Sequence, residues 1–159
     1  MPVQSYTQFI KGAYAGQQAG LAQSSSVITS RKTLAVVKAG AAVKFSGEDV
    51  TNGSVAGLVG GIVFRQNAHE AATRPAHEVD AISYDIGTVV AIAEEGKIIV
   101  AYTTAITGDR IYVHPTNGTF SGTAVGGHVA ATNVVVDRVL PDNLAEVFIS
   151  KAPIFAAAP

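Results

Sequence analysis

The chain of 159 residues contains no cysteine and no tryptophan, and only 14% of its residues are Asp, Glu, Lys or Arg. Without cysteine there can be no disulfide framework, thiolate metal site or cysteine nucleophile. With no tryptophan and few aromatics, the stacking platforms that serve sugars and unpaired bases are poorly supplied. A net charge of -1 with both signs scattered lacks the basic field of a sequence-independent nucleic-acid binder, so no direct nucleic-acid partner is expected. No apolar run approaches the roughly 20 residues that carry a helix across a bilayer, and no membrane partner is expected. Met1-Pro2-Val3-Gln4 has neither the positive start nor the apolar core of a secretory signal. Synthesis in the cytoplasm and use without that export route are the expectation.

What the chain does have is β-forming sequence. Ile82 to Val113 reads ISYDIGTVVAIAEEGKIIVAYTTAITGDRIYV, in which Ile, Val, Thr and Tyr fill three segments. Glu94-Glu95-Gly96 and Thr107-Gly108-Asp109 read as the reversals between them. Short β-type runs also occupy Leu34 to Val37, Ala42 to Phe45, Thr119 to Val125, Val129 to Leu140 and Leu144 to Ile149. Val55 to Phe64 is apolar but interrupted by Gly57, Gly60 and Gly61, the pattern of bulges or close backbone approach. Asn52-Gly53 and Asn117-Gly118 are turn signals. The count is eight or nine strands, which predicts an all-β fold: a jelly-roll-like sandwich or barrel. Ile98 to Tyr102 is apolar on both faces, which requires a cover on each side: a second sheet on one, and an arm or neighbouring subunit on the other.

The ends differ from the body. Residues 1–31 are rich in Gly, Ala, Gln and Ser, with Tyr6, Phe9, Tyr14 and Leu21 spaced along them. Such a segment cannot bury a core of its own, and it reads as an extended N-terminal arm that anchors at intervals, the alternative being a disordered tail. Residues 32–150 form the body. Residues 151–159 are a short apolar tail carrying Ile154 and Phe155. These six large side chains are the candidate interface residues.

No catalytic constellation emerges. Gly57-Leu58-Val59-Gly60-Gly61 lacks the lysine and spacing of a phosphate loop and the order of a dinucleotide site. Ser24, Ser25 and Ser26 lie in the leader, and the chain has no Gly-x-Ser-x-Gly elbow. His69-Glu70 and His77-Glu78 could bring two imidazoles to a metal, but Pro75 between them prevents a metal-binding helix, and a solvated loop is the better reading. Asp80 and Asp85 read as strand-end residues, and His114 and His128 as solitary turn residues. No cofactor and no metal are expected.

Several phrases together resemble the cement, or decoration, proteins of tailed-bacteriophage capsids. They are Tyr14-Ala15-Gly16-Gln17-Gln18-Ala19, Ile28 to Arg31, Gly61-Ile62-Val63-Phe64-Arg65, Gly87-Thr88-Val89-Val90-Ala91-Ile92, Gly96-Lys97-Ile98-Ile99-Val100 and Gly108-Asp109-Arg110-Ile111-Tyr112-Val113. The resemblance implies a β-rich body that self-associates as a homodimer or homotrimer. It further implies binding to the major capsid protein on the outer capsid surface of the virion, and it offers no catalytic residues. The alternative that composition leaves open is a β-rich fibre or adhesion module for a cell-surface ligand.

Overall fold

The computed structural model describes residues 14–19, 26–65 and 82–156, and every regular element among them is a strand. In chain order these are β1 (Val27–Lys32), β2 (Val37–Lys38), β3 (Ala42–Ser46), β4 (Asp49–Asn52), β5 (Gly61–Val63) and β6 (Ser83–Tyr84). They continue with β7 (Val89–Ala101), β8 (Arg110–Val113), β9 (Phe120–Ser121), β10 (Val129–Leu140) and β11 (Leu144–Ile149). Nine of them form one antiparallel sheet in the order β4-β3-β5-β7-β11-β10-β8-β9, with β1 also on β7, while β2 and β6 pair separately. The all-β expectation holds. Both ends of the path bend back: Thr33, just after β1, bridges Val50 of β4, and Tyr102, just after β7, bridges Phe120 of β9. The result is a curled sheet, a half-barrel.

The 13-residue β7 runs through the position where a reversal was expected. Glu94-Glu95-Gly96 does not turn the chain, because β7 has partners all along it. Its first half pairs with β1 and β5, and its second half pairs residue by residue with β11 from Gly96↔Ile149 to Ala101↔Leu144. Glu94 is only 7% exposed, and its carboxylate is satisfied by groups from elsewhere in the chain. Polarity there marks a bulge, with Val27 opposite Glu95 and Ile28 opposite Ala93. Gly96 takes φ 131°, a conformation costly for any side chain.

Because side chains alternate along a strand, this shared strand feeds separate cores. Val90 and Ile92 join Val37, Val43, Val50, Val63, Ile82 and Tyr84 under the β2-β6 pair. Ala93, Ile98 and Val100 join the larger core with Ile62, Ile111, Phe120, Val134 and Val147. Ile99 points away from both and is covered by Ala19, with Leu144 beside it and Ala15 and Leu140 at the margin. The leader is thus the cover that the two-faced Ile98 to Tyr102 segment required. It is held edge-on: Ile99 N–H donates to Gln17 C=O and its C=O accepts from Gly16 N–H, at 2.9 and 2.7 Å. Gly16 crosses Gly40 so closely that a Cβ on Gly16 would lie 2.9 Å from the amide nitrogens of Arg65 and Gly40. Residues 27–32, at the end of the stretch read as an arm, form β1. The remainder of the arm, residues 1–13 and 20–25, lies outside the described residues.

Asn133 is the polar pin of the body. Fully buried, it accepts from Val59 N–H at 2.9 Å and donates to the carbonyls of Val59 and Ser150, both at 2.7 Å. One side chain therefore ties the segment before β5 and the end of β11 onto β10. Asn133→Ala strands all three backbone groups, and leaving buried polar groups unpaired is what makes a lost hydrogen bond expensive. Urea titration of this variant is expected to show a loss of about 2–4 kcal/mol relative to the wild-type chain.

Candidate interaction surface

Between β8 and β10 the ladder opens. Ala130 faces Tyr112 and the next paired residue, Val135, faces Arg110, so β10 advances five residues against two on β8. The unpaired backbone of this excursion is used by other segments. Thr132 N–H donates to Gly57 C=O at 3.0 Å, and Thr132 C=O accepts from the N–H groups of Ile154 and Phe155 at 2.7 and 2.8 Å. Gly57 belongs to a tight turn in which Val55 and Leu58 exchange both backbone hydrogen bonds, with Ala56 and Gly57 at φ 50° and 84°. That left-handed pair is the geometry of a two-residue hairpin. A Cβ on Gly57 would collide with the Ala130 carbonyl, so only glycine lets the turn lie this close to β10.

The consequence is a set of exposed aliphatic side chains on fixed backbone. Val55 is 62% exposed, Leu58 38% and Ile154 46%, and Thr132 links their two segments. Phe155 is half-buried and covers Arg110, whose guanidinium carbon sits 4.4 Å from the ring centroid. A second exposed apolar cluster lies on the loops around Thr33. This threonine, fully buried, donates its N–H to Thr88 C=O and its hydroxyl to Asp85 C=O, and accepts from Gly87 N–H. It thereby knits residues 33–36 to 85–88, which display Leu34, Val36 and Ile86, with Val89 at the start of β7 beside them in sequence, at 44–67% exposure. Asp85 serves this turn through its backbone, in keeping with a strand-end role.

Of the candidate interface residues, Ile154 and Phe155 are brought together on Thr132. Tyr14 sits apart from them at the end of β5, with the Arg65 guanidinium 4.3 Å from its ring centroid. Tyr6, Phe9 and Leu21 lie outside the described residues, as do His69, Glu70, His77, Glu78 and Asp80. Sequence reading missed Val55, Leu58, Leu34, Val36, Ile86 and Val89. The available signal was Val55-Ala56-Gly57-Leu58, a two-residue turn flanked by aliphatic residues where a solvated turn would carry polar ones. His114 and His128, read as solitary, face each other edge-on at 5.3 Å, and His114 Nδ1 accepts from Thr116 and Asn117 N–H. Among the described residues no cluster of His, Asp and Glu could hold a metal ion.

Charge is concentrated on β7 and its neighbours. Glu94 accepts from the Thr29 hydroxyl at 2.6 Å and pairs with Arg31 and Lys151, each at 3.4 Å, so it joins β1, β7 and the start of the tail. Burial pushes its carboxyl up, but the Thr29, Arg31 and Lys151 hydrogen bonds outweigh that and hold it below its ordinary value. Lys97 pairs with Asp137 at 3.0 Å and Glu146 at 3.8 Å, and Arg138 pairs with Glu146 at 3.0 Å. The Lys97 hydrogen bond lowers the Asp137 carboxyl. The Lys97–Asp137 pair contributes little to stability, being exposed, whereas Glu146 is largely buried between Lys97 and Arg138.

The chain matches over residues 2–150 the family of structural cement proteins typified by E217 gp24 and Pam3 gp6, and it belongs to that family. A chain from the capsid of Myoviridae phage XM1 has the same fold. Its TM-score is 0.65 at 15% identity, over 87% of this chain and 91% of that one. No curated protein matches the sequence.

A carboxyl held low in the folded state stabilises the fold when ionised. Its contribution is complete above its ordinary value near 4.5 and is lost as pH falls from there through the lower folded value. Urea midpoints measured from pH 6 downward should therefore fall less steeply for Glu94→Gln than for the wild-type chain; parallel curves would show that Glu94 is not a stabilising ion pair.

Proposed function

We propose that this protein is a component of a bacteriophage virion that binds the outer surface of the major capsid protein lattice and stabilises the expanded, genome-filled head. Exposed aliphatic side chains on hydrogen-bonded, glycine-tight turns are the observation that carries this reading, supported by membership of the structural cement family. Apolar side chains left in water on backbone that cannot collapse are surface held ready for a partner. A protein that binds one state of a shell shifts the equilibrium toward that state by its differential affinity. Each contact can be weak, because a homodimer or homotrimer engages several lattice sites and gains affinity through effective concentration.

The N-terminal residues that precede the strap over Ile99 are the second contact. Tyr6 and Phe9 would each contribute about 1.5–3 kcal/mol if buried against a neighbour, before ordering costs. A chain lacking residues 1–13 keeps every described element and is expected to fold with an unchanged thermal midpoint. Its co-sedimentation with cognate expanded shells should weaken by about tenfold or more, the equivalent of one such side chain. Full-strength binding by the truncated chain would remove the leader from the interface. Absence of shell binding by the intact chain, with retention on a cell-surface glycan, would favour the adhesion reading.

A further inference from the structure

Arg110 is anomalous within the fold. Its face is stacked on Phe155, yet its Nε and Nη2 atoms are buried and have no hydrogen-bond partner among the described residues. Nε and Nη2 are the two nitrogens of the side-on fork, the edge that matches both oxygens of a carboxylate. Buried guanidinium groups are normally paired, since an unpaired one loses hydration and gains nothing in return. Arg110 stands where β10 parts from β8, and the Phe155 on its face hangs from the same Thr132 that holds the Val55–Leu58 turn and Ile154. Phe155 covers the face of the guanidinium, and the tail that carries it is lightly held. Residues 151–156 are attached through two N–H bonds to the Thr132 carbonyl, the Ala152 N–H to Ser150 Oγ bond, the Lys151 to Glu94 pair and the Phe155 stack, and most of them are exposed.

We propose that Arg110 is a carboxylate receptor, filled when the protein docks. The partner segment would present an Asp or Glu beside an aliphatic side chain, the carboxylate entering the Nε/Nη2 fork as the tail shifts and the aliphatic group packing on Val55, Leu58 and Ile154. The argument for this occupant is charge complementarity: a positive fork lacking an anion, set next to apolar surface lacking a cover. The segment belongs to the capsid subunit, and in this the inference rests on the cement reading above.

The test pairs shell binding with folding stability, using the full chain. Arg110→Gln is expected to weaken co-sedimentation with cognate shells by about tenfold or more, as loss of a desolvated charge pair does. Its thermal midpoint should be equal to or above that of the wild-type chain, because an unpaired desolvated charge has been removed. An arginine with a purely structural role would give the opposite: a lowered midpoint and unchanged binding. Arg110→Lys keeps the charge and loses the fork, so it should also bind less well, and it serves where the glutamine variant does not fold; wild-type binding by either variant overturns the proposal. If the intact chain binds no shell, the cement reading fails and an independent arm decides the site. Acetate is titrated against sodium chloride of equal ionic strength, observing the Arg110 Nε–H NMR resonance, assigned by its loss in Arg110→Lys. A saturable shift specific to acetate supports the receptor, and identical responses to the two salts overturn it.

Discussion

The pairing of β7 on both of its edges is the constraint on which the rest of the structure depends. A strand used from both sides has no spare backbone groups, and it must remain extended even where its sequence favours a turn. Here it carries β1 and β5 on its first half, and β11 and the leader strap on its second. Both wings of the curled sheet therefore hang from one rod, and its alternating side chains supply all three hydrophobic clusters. A curl anchored in this way leaves each wing short, and the bridges at Thr33 and Tyr102 shield the outermost strands from edge-to-edge pairing.

Much of this was legible in the sequence because β-branched content and turn residues act locally. Ile98 to Tyr102 announced burial on both faces, and the leader that answers it is within the same chain. The break expected at Glu94-Glu95-Gly96 shows where local reading ends. Two glutamates and a glycine are turn-like by composition, but the groups that make Glu94 acceptable inside a strand are Thr29, Arg31 and Lys151, all remote in sequence. The same limit hid the His114 and His128 contact, which depends on two turns meeting in space.

The candidate surface was legible in part for a similar reason. Ile154 stood out as an aliphatic residue in a tail without a strand partner, and it is exposed. Phe155 had the same appearance, but it is half-buried with its ring against the Arg110 guanidinium, a pairing that nothing in residues 151–159 encodes. Val55 and Leu58 looked like core sequence. They are outside because Gly57 fits against the Ala130 carbonyl and Thr132 N–H fixes the turn across β10, which points its flanks into solvent.

Rigidity is what makes such a surface useful. Ordering a loop or a rotamer-rich side chain on docking costs free energy that must be subtracted from every contact made. Val55, Leu58, Leu34 and Ile86 sit on turns already held by buried backbone and threonine hydrogen bonds, so that cost has been met during folding. Arg110 is the contrasting case, with Nε and Nη2 buried and unpartnered among the described residues. Two buried nitrogens without a partner cost stability, and under the proposal above their unmet hydrogen-bonding capacity is what would select a carboxylate. On the proposed capsid lattice, a modest preference of this kind at each of many sites would be enough to separate bound from free.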